Sequence, residues 1–170
     1  MYSIKSEVTF DAAHRLPDYP GKCSCIHGHT YRAIFDMKFD ASDINLSIKP
    51  FIMDFGSFKK IIKDLVDVWD HTIVLYEKDP IIASMLDADL NTIGGLGLVT
   101  MKHIPSAENM VTQLVREFII AYASYAPKIV LKDWEILSGK EILPMTISVT
   151  LYETPASAIT FSRRYNGKTS

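Results

Sequence analysis

Residues 23–31 read C-S-C-I-H-G-H-T-Y and contain two histidines separated by a single glycine. Alternate side chains of a β-strand share a face, so this spacing predicts that His27 and His29 point the same way. Two neighbouring imidazoles would supply half of a four-coordinate zinc site. The stretch therefore predicts the start of a strand that carries metal ligands.

A third candidate ligand, His14, lies at the end of an alternating apolar pattern over residues 2–14. A second strand is predicted over residues 27–39, and two long antiparallel strands would bring all three histidines to one side of a sheet. Three protein ligands with an open fourth position are typical of catalytic zinc, whereas structural zinc normally has four.

Cys23 and Cys25 permit a rival interpretation, in which they join His27 and His29 in a closed structural zinc site. At about 3.3 Å per residue these positions would extend over roughly 20 Å of strand, so a sharp turn would be needed for them to share one ion. A loop there could instead bring one cysteine near the metal without making it a ligand. A nearby cation lowers the pKa of a thiol, which makes it a usable base or nucleophile.

The 170-residue chain is expected to form a single domain over residues 1–170. Its formal net charge of −2 argues against a polybasic surface for nucleic acid. The N-terminal sequence has no signal-peptide pattern, and no apolar run is long enough to cross a bilayer. These features favour a cytoplasmic enzyme that binds neither nucleic acid nor membrane.

Apolar residues at helical spacing predict two long amphipathic helices. The first begins at Asp54 or Ser57 and ends at residues 70–71, while the second opens at Ser106 and ends by Pro127. Residues 77–104 carry weaker patterns: a short helix to about residue 86, a glycine-rich turn and a short strand to about residue 101. Residues 128–144 are interpreted as a connection.

Alternating patterns predict two further strands, over residues 145–153 and about 157–162. The order strand, strand, helix, helix, strand, strand favours an α+β fold, with a four-stranded antiparallel sheet and both helices on one face. Glu153 falls on the apolar face of its strand. A carboxylate there either lies past the buried stretch or awaits a partner with matched donors.

Asp70 and His71 form an adjacent acid–imidazole pair. A histidine oriented by a carboxylate can move protons near neutral pH, and such a pair could support a reactive cysteine. The simpler interpretation is that Asp70 ends a helix and that His71 is a surface residue.

Several motifs in this order resemble the 6-pyruvoyl-tetrahydropterin synthase/QueD family, in which QueD is 6-carboxy-tetrahydropterin synthase. The motifs are F-D-A-A-H-R-L, C-x-x-x-H-G-H-x-Y, M-D-F, D-H, P-S-A-E-N and Y-E-T-P. The likeness covers most of the chain apart from residues 77–104, roughly 128–144 and the basic tail. The segment over 77–104 is longer than in the smallest members, and we interpret it as an insertion.

The resemblance implies roles for the matching residues. The zinc ligands are matched by His14, His27 and His29. Cys23 matches the catalytic cysteine, and Asp70 and His71 match the dyad that works with it. The four-residue offset between Cys23 and the H-G-H pair is similar to the QueD pattern, although Cys25 is an extra thiol that could substitute for Cys23.

Pterin recognition is implied for a second group of residues. Glu153 matches the carboxylate that anchors the pterin ring, since a pterin offers an N–H and an exocyclic amine side by side. Ser106, Ala107 and Glu108 match the segment that lines the pterin pocket.

The resemblance also implies the assembly. The family folds as a tunnelling fold of four antiparallel strands and two helices, whose sheets join edge to edge between subunits into a barrel. The usual assembly is a homo-hexamer built from two trimers, with pockets between subunits. Glu153 would then be able to serve a zinc site on a neighbouring chain.

The implied reaction converts 7,8-dihydroneopterin triphosphate to 6-carboxy-5,6,7,8-tetrahydropterin, a queuosine precursor, with release of acetaldehyde and triphosphate. Zinc would hold the side-chain oxygens while Cys23 and His71 move protons on the side-chain carbons. A 6-pyruvoyl-tetrahydropterin synthase or a related dihydroneopterin-processing lyase is the alternative enzyme. A non-catalytic structural zinc module is the alternative of another class.

Overall fold

The computed structural model describes residues 1–43, 52–87, 97–125 and 144–166. The helices are α1 (Phe55–Val66), α2 (Ile81–Asp87) and α3 (Ala107–Tyr125). The strands are β1 (Tyr2–His14), β2 (His27–Phe39), β3 (Thr72–Tyr76), β4 (Leu98–Met101), β5 (Met145–Thr154) and β6 (Ser157–Tyr165). They form one mixed sheet in the order β4-β3-β1-β2-β5-β6.

The antiparallel part of the sheet confirms the strands expected from alternation. β1 and β2 have the predicted bounds and pair along their whole length, from Tyr2 opposite Phe39 to His14 opposite His27. β5 and β6 follow as an antiparallel pair, and β6 extends to Tyr165, three residues beyond the predicted end. Every second residue of β2 from Tyr31 to Phe39 is buried, and these side chains form the sheet side of the core.

The prediction of a four-stranded antiparallel sheet was wrong, because two short strands add a parallel part. β3 runs parallel to the end of β1, with Thr72 opposite Ala12, and β4 runs parallel to β3. β3 was not predicted, since a short apolar run does not distinguish a strand from other buried segments. Because these three strands run in the same direction, the carboxyl ends of β1, β3 and β4 lie at the same end of the sheet.

Both long helices pack on the same face of the sheet, as predicted. Phe118 of α3 links the layers, because its ring lies 5.6 Å from that of Phe35 in β2 and 5.8 Å from that of Phe58 in α1. All three side chains are fully buried. The core is therefore a single apolar layer between the two helices and the inner face of β2 and β5.

The helix α1 begins as predicted but ends earlier. The side chain of Asp54 accepts a hydrogen bond of 2.8 Å from the Ser57 amide, which caps the helix. The helix stops at Val66 instead of residues 70–71, because a turn over residues 67–71 redirects the chain into β3. His71 ends that turn with a positive φ of 58°.

The segment after β3 contains the short helix and the short strand that were predicted, as α2 and β4. The glycine-rich turn falls mostly on residues 88–96, outside the described residues, and the connection over 128–144 lies almost wholly outside them. Among the described helices, none is long and apolar enough to span a membrane.

Replacement of Phe118 by alanine should destabilise the protein by about 3–5 kcal/mol, because it opens a cavity where two helices meet the sheet. Urea unfolding followed by circular dichroism measures this change. Ile120→Ala is the matched control on the same helix, since Ile120 is 59% exposed, and its effect should stay within about 0.5 kcal/mol. Equal losses in both variants would contradict the described packing of α3.

Candidate active site

Three histidines meet on the inner face of the sheet, at the junction of β1 and β2. His14 lies directly opposite His27 in the antiparallel ladder, and His29 lies opposite Ala12. One ligand nitrogen from each imidazole lies within 4.8 Å of the other two. The predicted convergence of His14, His27 and His29 is therefore confirmed, and we call these residues the histidine triad.

Backbone carbonyls fix the orientation of two triad rings. His14 Nδ1 lies 2.7 Å from the Pro105 carbonyl oxygen, and His27 Nδ1 lies 2.9 Å from the Cys25 carbonyl oxygen. A carbonyl can only accept, so each Nδ1 must carry the hydrogen and donate it. Each Nε2 is then left with a free lone pair, which is the arrangement that metal-binding histidines typically have.

The triad also passes a test of whether a metal ion fits. His14 is 2% exposed, and the Nε2 atoms of His14 and His29 are buried without a hydrogen-bond partner in the described residues. Burial lowers the pKa of His14, although the Pro105 carbonyl acts in the opposite direction. Buried unpaired nitrogens are costly, and three neutral nitrogens are a donor set that suits zinc.

Glu153 lies beside the triad of its own chain. Its Oε1 is 3.3 Å from His14 Nε2 and 3.8 Å from His29 Nε2, and 31% of its side chain is exposed. The β5–β6 register shifts between Tyr152 and Thr154, so Glu153 occupies a β-bulge. Bulges re-aim side chains near functional sites. Here the bulge lies where an inner-face carboxylate reaches both the imidazoles and solvent.

The two cysteines lie between His14 and His27, in and directly after a short 3₁₀ helix. Cys23 is half-buried within this helix (Lys22–Ser24), and its carbonyl accepts a hydrogen bond of 2.7 Å from the Leu16 amide. Within the described residues, neither thiol joins the set of mutually close ligand atoms that the triad forms. This counts against the closed site made from Cys23, Cys25, His27 and His29.

Asp70 and His71 form a second cluster, separate from the triad. Asp70 Oδ2 lies 3.0 Å from His71 Nδ1, while Asp70 Oδ1 accepts a hydrogen bond of 2.8 Å from the Asp11 amide. The His71 amide donates in turn to the Asp11 carbonyl at 2.7 Å. These contacts attach the turn after α1 to β1 and hold Asp70 and His71 beside each other.

This second cluster does not reach the triad within one chain. Asp11 lies three residues before His14 on a strand, so their side chains point to opposite faces. The side chain of His71 is 79% exposed. The structure thus brings Asp70 and His71 into contact with each other but places them apart from the triad within one chain.

The predicted pterin-pocket segment lies next to the triad at the start of α3. The carbonyl of Pro105 contacts His14, and Ser106 caps the helix by accepting the Asn109 amide at 3.4 Å. Glu108 is exposed in the first turn, and Ala107 is the first helical residue. The polar start of α3 is therefore anchored to the histidine triad by one backbone oxygen.

Sequence reasoning missed the groups that support the site. The carbonyls of Pro105 and Cys25 are backbone atoms, so no residue type reveals their role. An ion pair between Arg15 and the buried Asp79 was also missed. A charged residue directly after a candidate metal ligand was the available signal.

Comparison with known proteins gives a consistent picture. A family model for 6-pyruvoyl tetrahydropterin synthase matches residues 3–164. A Rickettsia conorii protein named 6-carboxy-5,6,7,8-tetrahydropterin synthase is 26% identical over 156 residues, which cover 91% of this chain and 96% of the relative. A Haemophilus influenzae protein of the same name is 33% identical over 90 residues, or 51% of this chain and 63% of the relative.

Solved structures share the fold at low identity. An uncharacterized protein from Wolinella succinogenes has a TM-score of 0.61 and 17% identity, covering 94% of this chain and 97% of its own. The 6-pyruvoyl tetrahydropterin synthase of Plasmodium falciparum has a TM-score of 0.61 and 13% identity, with coverage of 96% and 99%.

The contacts of Asp70 generate a pH-dependent prediction. The Asp11 amide, with His71 beside it, holds the pKa of Asp70 below its usual value. Folding therefore favours the ionised form, and this stabilisation is present above the unfolded pKa of about 3.9 and lost as pH falls through the lower folded value. Asp70→Asn should be less stable than wild type near neutral pH, and the gap should narrow below about pH 4.

Urea unfolding of both proteins across this pH range measures the gap. A gap that stays constant with pH would mean that the charge of Asp70 contributes nothing to stability.

Proposed function

Because the chain belongs to the 6-pyruvoyl tetrahydropterin synthase family, we propose that it is a zinc-dependent lyase. Its substrate is 7,8-dihydroneopterin triphosphate, and its products are 6-carboxy-5,6,7,8-tetrahydropterin, acetaldehyde and triphosphate. The observation that carries this proposal is the triad, in which two buried Nε2 atoms make no hydrogen bond within the described residues and two Nδ1 atoms face backbone carbonyls. The full-length relative from Rickettsia conorii, with its printed name, favours the carboxy product.

The metal is held by His14, His27 and His29. Neither Cys23 nor Cys25 is a ligand, so one coordination position on the metal stays unoccupied by protein. Three protein nitrogens keep a coordination position free for a substrate oxygen. Zinc supplies Lewis acidity, which makes neighbouring hydroxyl and C–H protons easier to remove. The protein's contribution is a fixed set of lone pairs, since carbonyl acceptors already determine which nitrogens carry hydrogen.

Glu153 anchors the pterin ring in this proposal. Its carboxylate can accept two parallel hydrogen bonds from an N–H and an adjacent amine, which gives both orientation and affinity. Glu153 lies 3.3 Å from His14 and is one-third exposed, so a ring bound there lies next to the metal ligands and remains accessible from outside. Ser106, Ala107 and Glu108 border the same region because Pro105 contacts His14.

Cys23 moves protons at the substrate side chain, and the Asp70–His71 pair supports it. Asp70 orients the imidazole by accepting from Nδ1, which leaves Nε2 to exchange a proton with a thiol or a substrate carbon. His71 is exposed and lies apart from the triad. We therefore assign the pair to a site completed by a second copy of the chain.

Two free strand edges support such an assembly. Within the described part of the chain, residues 2–10 of β1 pair with β2 on one side and with no strand on the other. β6 likewise pairs with β5 on one side and has no neighbouring strand on its other side. Unpaired edges are templates for pairing with another chain. Edge-to-edge association into a trimer, doubled into a homo-hexamer, would close the sheets into a barrel and bring His71 towards a neighbouring triad.

We propose a cytoplasmic protein that supplies a precursor for queuosine synthesis. The competing candidate is a 6-pyruvoyl-tetrahydropterin synthase, which shares the early steps and keeps the substrate side chain intact. The name of the matching family model favours that alternative. The four-residue offset between Cys23 and His27 favours the carboxy reaction.

The two reactions differ in their products. Zinc-loaded protein incubated with 7,8-dihydroneopterin triphosphate should yield 6-carboxy-5,6,7,8-tetrahydropterin and acetaldehyde, both identified by mass spectrometry. Formation of 6-pyruvoyl-tetrahydropterin would move the protein to the competing candidate. Absence of turnover with zinc bound would reject both reactions.

The same assay tests Cys23. We expect Cys23→Ala to retain stoichiometric zinc and to lose turnover by about 10²-fold or more, since proton transfer by a positioned group contributes this much. Cys25→Ala is the matched control two residues away, and it should keep activity because only its backbone carbonyl contacts His27. Full activity in Cys23→Ala with loss in Cys25→Ala would transfer the role to Cys25.

A further inference from the structure

Asp79 is a buried carboxylate that neither the triad nor the Asp70–His71 pair uses. The residue is 3% exposed, and its two oxygens have different partners. Oδ1 accepts a hydrogen bond of 3.0 Å from the Ile81 amide at the start of α2, and Oδ2 lies 3.1 Å from Arg15 Nε. A buried charge persists only when it is paired, so Asp79 and Arg15 form a coupled unit.

The Arg15 guanidinium contacts Asp79 through one nitrogen, Nε. This Nε atom is buried, while 21% of the side chain remains exposed. Within the described residues, the terminal amino groups of Arg15 have no partner. Arg15 is therefore held at Nε by an ion pair with Asp79 that lacks hydrogen-bond geometry, and its terminal amino groups remain available to a ligand.

The backbone around Arg15 connects it to the candidate active site. Arg15 directly follows the triad member His14, and the next amide, that of Leu16, donates to the Cys23 carbonyl. Asp79 follows β3, and its amide donates to the Tyr76 carbonyl at 2.8 Å. Since β1 and β3 are parallel, both residues lie just beyond the carboxyl ends of these two strands.

We propose that Arg15 binds the triphosphate group of the substrate and that Asp79 is the positioning residue that orients it. A guanidinium binds phosphate oxygens in a planar, bidentate manner that an ammonium does not reproduce. Asp79 offsets the net charge of Arg15, so recognition depends on the oriented amino groups more than on overall charge. The inference rests on the proposed function for the identity of the phosphorylated substrate.

The test uses inorganic triphosphate as the probe, because its binding requires no turnover. Isothermal titration of zinc-loaded protein should show that Arg15→Lys weakens triphosphate binding about tenfold, the loss expected when charge-assisted hydrogen bonds are removed. Arg116→Lys on the exposed side of α3 is the matched control and should bind triphosphate like wild type. Zinc content measured after each titration verifies that the probe has not removed the metal.

Unchanged triphosphate affinity in a folded Arg15→Lys variant would overturn the proposal. Asp79→Asn adds a test of positioning, since it keeps the acceptor for Ile81 and removes the charge beside Arg15. It should change triphosphate affinity in the wild-type background and leave it unchanged in the Arg15→Lys background. Equal changes in both backgrounds would show that Asp79 acts only through the fold.

A measurement on wild-type protein keeps the proposal falsifiable if Arg15→Lys does not fold. Phenylglyoxal modifies accessible guanidinium groups, and peptide mapping by mass spectrometry locates each modified arginine. Saturating triphosphate should slow modification of Arg15 at least severalfold and leave Arg116 unaffected. Modification of Arg15 at the same rate with and without triphosphate, or no modification in either case, would contradict the proposal.

The outcomes also separate this inference from the proposed function. Triphosphate binding that depends on Arg15, without turnover of dihydroneopterin triphosphate, would retain the anion site and reject the reaction. If the protein turns over dihydroneopterin triphosphate but binds triphosphate equally well with Arg15→Lys, the proposed reaction stands and the proposed anion site is rejected.

Discussion

Two hydrogen bonds from histidine Nδ1 atoms to backbone carbonyls are the constraint on which the site depends. They join Pro105, at the start of α3, to His14 at the end of β1, and the loop carbonyl of Cys25 to His27 at the start of β2. Each bond fixes a tautomer and leaves a lone pair on Nε2. Three segments far apart in sequence must therefore be placed correctly before the metal-ligand set exists.

The mixed sheet provides this placement. The antiparallel ladder of β1 and β2 sets His14 opposite His27, and the parallel strands β3 and β4 deliver their following segments to the same end of the sheet. Pro105 follows β4 and contacts His14, and Asp79 follows β3 and pairs with Arg15. Within the described residues the same topology leaves strand edges unpaired, which is the basis for the proposed association with a second chain.

Much of this arrangement follows from local pattern. Alternation along β1 and β2 was enough to predict the triad and the bounds of both strands, because burial on one face imposes a period of two. The short strand β4 was predicted, but β3 and the parallel pairing of both strands were missed, because strands of five and four residues are too short for a period to identify their place in a sheet. The carbonyl acceptors and the burial of Asp79 depend on tertiary contacts, which side-chain identity does not encode. The turn that separates Asp70 and His71 from the triad was likewise hidden, since the apolar spacing of α1 continues to Trp69 beyond the end of the helix.

X-ray absorption at the zinc edge of the resting, zinc-loaded protein tests the central claim most directly. An open site made by His14, His27 and His29 predicts a shell of nitrogen and oxygen atoms at about 2.0–2.1 Å with no sulfur contribution. A zinc–sulfur distance of about 2.3 Å would contradict the account, because it would place Cys23 or Cys25 in the shell and close the position that the chemistry requires.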